Sequence, residues 1–220
     1  MKKAEREQMM RERLSRLMEF DSKFITEAAP YIGGVDEVGR GPLAGPVVAA
    51  CVVLPRDFDI IEVYDSKKLS EKKRNEIAPL IKEKATAYGL GMASEKVIDE
   101  INILEATRGA MAAAIHHASQ MLEERTGRGF GRVLIDAVTI RDLSIPQTAV
   151  VKGDQTSASV AAASIFAKVT RDDMMIKYAE QYPGYAFEKN KGYGTREHYE
   201  GIEKLGLCPI HRRTFLKDYL

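Results

Sequence analysis

Two adjacent carboxylates, Asp36 and Glu37, are followed at once by a glycine-flanked arginine, Gly39-Arg40-Gly41. Acids attract cations; an arginine beside exposed backbone attracts anions. The pairing suits a place where a divalent cation meets a phosphate. Two more acids stand in comparable positions. Asp136 ends the apolar run "RVLID", and Asp154 follows "AVVKG" just before a helix start. Acids at strand ends gather at one edge of a sheet, where their repulsion calls for a counterion. Magnesium and manganese take oxygen ligands of this kind. Neighbouring strand residues face opposite ways, so Asp36 and Glu37 share a cluster only if the strand ends or bulges there, or if one acts through its backbone. Asp172 and Asp173 lie mid-helix beside Arg171, where an ion pair or a solvated face is expected rather than a ligand.

Elements must carry these residues to one point. A chain of 220 residues, 45% hydrophobic, suits one domain with a modest extension. Residues 1–29 are dense in charge, with Met9, Leu14, Leu17 and Met18 near helical spacing, so a surface helix ending at Pro30 is expected. Tyr31–Val38 and Gly45–Leu54 read as strands joined by a Gly/Pro loop, an antiparallel hairpin. Ser70 caps a helix over "EKKRNEIAPLIKEKA", and Thr86–Ala93 reads as a third strand. Ser94 caps a short helix, a longer one runs from Ile103 to Arg125, and "TGRGFG" breaks it. Arg132–Ile135 and Thr148–Lys152 read as strands. A single small-residue-rich helix follows from Gly153, and Thr195 caps the last one. Hairpin strands first, then strands separated by helices, give an α/β fold with a mixed sheet flanked by helices.

Charge and cysteines narrow the classes. Lys+Arg 33 against Asp+Glu 32 gives a net charge of +1, so a nucleic-acid partner would be met by a local patch. Lys67 and Lys68 suit phosphate; Lys152, Lys168, Lys189, Lys191, Arg212 and Arg213 are candidates for a wider basic track. Cys51 and Cys208 form no spaced framework, and reduced thiols in a cytosol are expected. The longest apolar run, Pro46–Leu54, is too short to span a bilayer, and the charged N-terminus is unlike a secretory signal. None of the four histidines has a partner at zinc-like spacing, and His116 and His117 read as packing or surface residues.

"GGVDEVGRGPLAGPVVAA", "DSKKLSEKKR", "INILEATRGAM", "VLID", "VVKGD", "AAASIFAKVTRD", "NKGYGT" and "PIHRRTF" follow one another in the order of bacterial ribonuclease HII. The chain resembles that family over residues 31 to about 217. The resemblance implies the ribonuclease H-like fold, a catalytic domain over residues 31–220, and a helical N-terminal extension over residues 1–30 that lies outside it. It implies hydrolysis of the RNA strand of RNA–DNA hybrids. It also implies incision 5′ to single ribonucleotides embedded in duplex DNA, as in ribonucleotide excision repair, leaving a 3′-hydroxyl and a 5′-phosphate. By motif, the metal-binding acids fall on Asp36, Glu37, Asp136 and Asp154, with Mg2+ or Mn2+ in a two-ion site. The 2′-hydroxyl reader falls on Gly39, Arg40 and Gly41, the phosphate-contacting lysine on Lys67, and the junction-sensing tyrosine on Tyr193. Position 137 is Ala where many relatives have Gly. A cytoplasmic monomer without a membrane partner is expected, and a sliding clamp at a terminus is left open. Ribonuclease HIII shares the fold but usually carries a larger N-terminal domain than 30 charged residues can form. A non-catalytic hybrid-binding module conflicts with four intact acids, and a phosphate-reading nucleotide-binding protein lacks GxxxxGK[ST] and a GxGxxG after a strand.

Overall fold

The computed structural model describes residues 3–219. Five strands form one sheet: β1 (Ile32–Val38), β2 (Val47–Val53), β3 (Ala87–Ala93), β4 (Arg132–Asp136) and β5 (Gln147–Val150), in the spatial order β3-β2-β1-β4-β5. β1, β2 and β3 pair antiparallel, while β4 runs parallel to both β1 and β5. The expected mixed sheet and hairpin are present.

Eight α-helices surround the sheet: α1 (Lys3–Ser22), α2 (Glu71–Lys84), α3 (Glu95–Ile101), α4 (Ile103–Thr126), α5 (Gly153–Thr156), α6 (Ala158–Gln181), α7 (Phe187–Asn190) and α8 (Arg196–Leu205), all among the described residues. The caps follow the sequence. Ser70, Ser94 and Thr195 each accept a hydrogen bond from the backbone N–H three residues on. Asn102 caps α4 through the N–H groups of Leu104 and Glu105, and left-handed Gly127 ends it.

β2 is buried throughout because both of its faces are covered. Ala50 and Val52 face a core built with α2 and α6, whereas Val47, Ala49 and Cys51 face one built with α4. The helices lie very close to the sheet. A Cβ on Gly91 would stand 2.0 Å from the Ala110 carbonyl oxygen under α4, and one on Gly34 would stand 2.1 Å from the Ser159 carbonyl carbon under α6. This contact seats α6 directly over β1, beside the acids.

Two expectations need correction. The N-terminal helix ends at Ser22, well before Pro30. There Asp21 turns inward and its carboxylate accepts from the Ser159 N–H (2.9 Å) and hydroxyl (2.8 Å), capping α6 from outside. The helix expected to run unbroken from Gly153 is split at Ser157. That residue is extended, and its hydroxyl caps α6 by accepting from Val160 N–H. The split leaves Asp154 in a short turn of its own.

Candidate active site

The register brings the acids together. Parallel pairing of β1 with β4 ends at Val35 opposite Ile135, so the next residues, Asp36 and Asp136, lie level at the open end of the pair. β1 runs on regularly to Val38 against β2, with neither break nor bulge at the acids. The difficulty of two neighbouring acids facing opposite ways is thus resolved at the end of β4, beyond which both can sense Asp136. Asp154 joins from α5, whose Gly153 N–H donates to Asp136 Oδ1 at 2.7 Å.

Burial and repulsion shape the charges. Asp36 is 6% exposed. Burial, followed by the Glu37 charge, pushes its carboxyl well above the usual carboxylate range, despite a hydrogen bond from Ser164. Burial also raises Glu37; Arg40 opposes that rise and Asp136 adds to it. Asp154 is raised by burial, then by the Asp65 and Asp136 charges, with Lys67 pulling the other way. Glu37 is 3.5 Å from Arg40 through Oε1, while its Oε2 is buried without a hydrogen-bond partner. Asp36 Oδ1 accepts from the Glu37 N–H at 2.8 Å. Among the described residues, no three Asp, Glu, His or Cys side chains stand as a finished metal cage. Each acid leans on a protein group, and the cluster is open.

Asp65, which opens the stretch "DSKKLSEKKR" but was not singled out there, belongs to this site. It is buried, accepts from the Lys67 N–H (2.9 Å) and from Gln155 Nε2 (3.1 Å), and lies against Asp154. Ser66 and Ser164 hydroxyls meet at 2.8 Å. Because Ser164 donates to Asp36, Ser66 donates to Ser164, which ties the Lys67 turn to the acids. Arg74 holds the same turn through the carbonyls of Ser66 (2.9 Å) and Leu69 (2.5 Å). Asp172 is no ligand: Lys168 bonds it at 2.7 Å and Arg74 lies 3.9 Å away. Asp173 is exposed.

Residues 33–218 match the profile of the family described as Ribonuclease HII. The Ribonuclease HII of Leuconostoc mesenteroides is 51% identical over 96% of this chain and 82% of its own. The chain belongs to the ribonuclease HII family. It is therefore a ribonuclease H. Among solved structures, ribonuclease H2 from Pyrococcus horikoshii OT3 superposes with a TM-score of 0.68 at 25% identity, over 84% of this chain and 93% of that one. Bst-RNase HIII in complex with Mn2+ superposes with a TM-score of 0.60 at 20% identity, over 80% of this chain and 63% of that one, a likeness of fold.

In this ribonuclease HII chain the glycine-flanked loop lies beside the acids. Gly39 adopts φ +93°, and a Cβ there would stand 2.2 Å from Arg171 Nε, so the protein's own interior already requires glycine. A Cβ on Gly41 would be 3.6 Å from Tyr193 Cε1, which brings the loop and the 44% exposed Tyr193 together at the surface. Lys67 is exposed beside Asp154. The wider basic track is thinner than expected. Lys168 is spent on Asp172, the Lys191 ammonium is turned to the Glu188 carbonyl, and Arg212 is fully buried. Ala137, next to Asp136, has φ +47°, a conformation that favours glycine.

Proposed function

We propose that this ribonuclease incises duplex DNA on the 5′ side of an embedded single ribonucleotide, as well as cutting RNA–DNA hybrids, and so serves ribonucleotide excision repair in the cytoplasm. The observation that carries the reading is the convergence of Asp36, Glu37, Asp136 and Asp154 beside an exposed lysine and a glycine loop. Cys51 and Cys208 are free thiols, in keeping with that compartment, and no described helix is long and apolar enough to cross a membrane.

The donor set fits a divalent cation: it is all carboxylate oxygen, Asp36 and Asp154 are buried, and Glu37 Oε2 has no partner. Asp36, Glu37, Asp136 and Asp154 would hold Mg2+ or Mn2+; the related fold that takes Mn2+ supports the choice. When bound, such ions supply an activated water and charge stabilisation for in-line phosphodiester hydrolysis. The chain's own residues do the rest. Lys67 sets a positive charge against the substrate phosphate beside Asp154. The Gly39–Gly41 backbone meets the sugar closely and reads its 2′-hydroxyl, the group that separates RNA from DNA. Tyr193 stacks on the adjoining nucleotide. With the 2′-hydroxyl engaged as a tag, water attacks, and the products are a 3′-hydroxyl and a 5′-phosphate.

The test is cleavage of a duplex containing one ribonucleotide, beside an all-DNA control, with Mg2+, Mn2+ or chelator. A cation-dependent nick 5′ to the ribonucleotide, absent from the control, is expected. Cleavage of long hybrid alone would overturn the single-ribonucleotide assignment.

A further inference from the structure

Arg171 and Arg212 are fully buried behind the reading loops and, among the described residues, face no carboxylate at hydrogen-bond distance. Arg212 donates to the carbonyls of Gly39 (2.6 Å), Arg40 (2.9 Å) and Gly45 (2.7 Å from Nη2, 2.9 Å from Nε). Arg171 donates to the carbonyls of Pro46 (2.9 Å), Ala44 (3.0 Å) and Lys191 (2.8 Å). Main-chain carbonyls therefore supply the hydrogen-bond acceptors of both guanidiniums, a use suited to Arg's rigid fork. A trans peptide points its N–H opposite to its C=O. With the carbonyls of Gly39 and Arg40 drawn inward, the amides of Arg40 and Gly41 face outward. Neither amide donates to another group among the described residues.

The residue before Arg212 holds the other loop. His211 Nε2 meets His198 Nε2 at 3.0 Å, in a pocket walled by Tyr185 and Phe187. The ends of this chain decide its protons. The Cys208 N–H can only donate, so His211 Nδ1, 2.9 Å away, accepts. The proton of neutral His211 is then on Nε2 and is donated to His198 Nε2. That leaves the His198 proton on Nδ1, where it meets the Tyr193 carbonyl at 2.9 Å, a group that can only accept. His211 Nδ1 also lies 3.3 Å from the Cys208 carbonyl, the longer of its two contacts. Tyr185, bonded to the Gly206 carbonyl, packs its ring against both histidines, and Cys208 meets His211 through its backbone.

We infer that the dipeptide His211-Arg212 is a positioning device that fixes the 2′-hydroxyl-reading loop and the Tyr193 loop relative to each other, with His198 and Arg171 as its arms. The two loops also meet directly, Leu43 N–H donating to the Gly192 carbonyl at 2.8 Å, and Arg212 N–H donates to the Leu43 carbonyl at 2.9 Å. The device rests on the proposed substrate roles of those loops. A single ribonucleotide offers one 2′-hydroxyl and one junction, so both loops must register on it at once. A long hybrid offers many registers and forgives a shift.

Two substitutions separate the arms. His198→Asn keeps a donor near the Nδ1 position for the Tyr193 carbonyl; His198→Gln keeps an acceptor for His211 and loses that donor. The measurement is the ratio of single-ribonucleotide incision to long-hybrid cleavage, with melting curves confirming the fold. His198→Gln and His198→Asn each keep one end of the chain and break the other, so both are expected to lower the ratio about tenfold. Arg212→Lys, which keeps the charge but not the fork, should lower it similarly. An unchanged ratio in folded His198→Gln and Arg212→Lys overturns the device. Histidine 15N NMR of the unaltered protein is an activity-free check. Of the four histidines, the resonances assigned to His198 and His211 should show His198 protonated at Nδ1 and His211 at Nε2, and the same tautomer on both of these rings would contradict the chain. If the unaltered protein incises neither substrate, the functional reading fails, while the NMR result still decides the clamp.

Discussion

The carboxylate edge and the loop clamp solve opposite electrostatic problems. At the edge, like charges crowd a buried corner, Asp36 and Glu37 hold their protons above the ordinary range, and a buried Glu37 oxygen has no partner. In the clamp, burial lowers Arg171 to about 10 and Arg212 to about 9, yet seven hydrogen bonds to carbonyls surround them. On the proposed function, a cation completes the edge. The clamp is complete in the protein alone. A reading surface gains from being rigid before substrate binds, whereas a reacting centre gains from stored demand for charge.

The comparison is broken most severely at the edge. Asp36→Asn should lower cleavage of every substrate by at least about a hundredfold, because no other group replaces its charge in holding the cation. Near-normal turnover would remove the acids from that role.

The two regions also differ in the sign of their pH dependence. Asp36, Glu37 and Asp154 have raised folded values, so their contribution to stability is whole below about pH 4 and is lost as pH rises through those values. His198 is lowered and His211 is lowered from 6.5 to about 4, chiefly by burial. Their contribution is whole above 6.5 and is lost as pH falls toward about 4. In chelator, the melting temperature should peak in mild acid. Asp36→Asn should raise it by about 2–4 °C at pH 8 and leave the acid limb alone. A flat profile, or an alkaline limb unmoved by the substitution, would contradict this division.

Smaller effects sharpen the supports. Asp21→Ala should cost about 1–2 kcal/mol in denaturant melts, since the Ser159 N–H and hydroxyl lose their acceptor. Burial raises the Asp21 carboxyl to about 6, so Asp21→Asn, which keeps an acceptor and drops the charge, should be neutral or stabilising above that pH. Ala137→Gly should add about 0.5–1 kcal/mol by relieving the positive φ.

Much of this was legible in the sequence, for identifiable reasons. Apolar runs, turn residues and caps placed the strands and most helices, and the strand-end acids pointed to a cluster. Three things were not legible. The Asp36–Glu37 difficulty needed the register, because only the stopping point of β4 shows how both acids meet Asp136. Asp65 was hidden because its partner Gln155 is 90 residues away. Arg212 read as part of a wider basic track and His211 as a histidine without a zinc-like partner; their burial depends on Tyr185, Phe187 and the Gly39–Pro46 loop, contacts with no local signature. Ala137 was noticed as a departure from relatives, and its φ supplies the physical reason.

The central claim is that the acids perform the chemistry and the clamped loops do the reading. It is tested most directly by measuring single-turnover rates on a one-ribonucleotide duplex and on a long RNA–DNA hybrid for the unaltered chain, Asp136→Asn and Tyr193→Ala. The account predicts that Asp136→Asn loses both activities together, and that Tyr193→Ala loses about tenfold or more on the one-ribonucleotide duplex while keeping most hybrid cleavage. Parallel losses in Tyr193→Ala, or a surviving activity in Asp136→Asn, would contradict it.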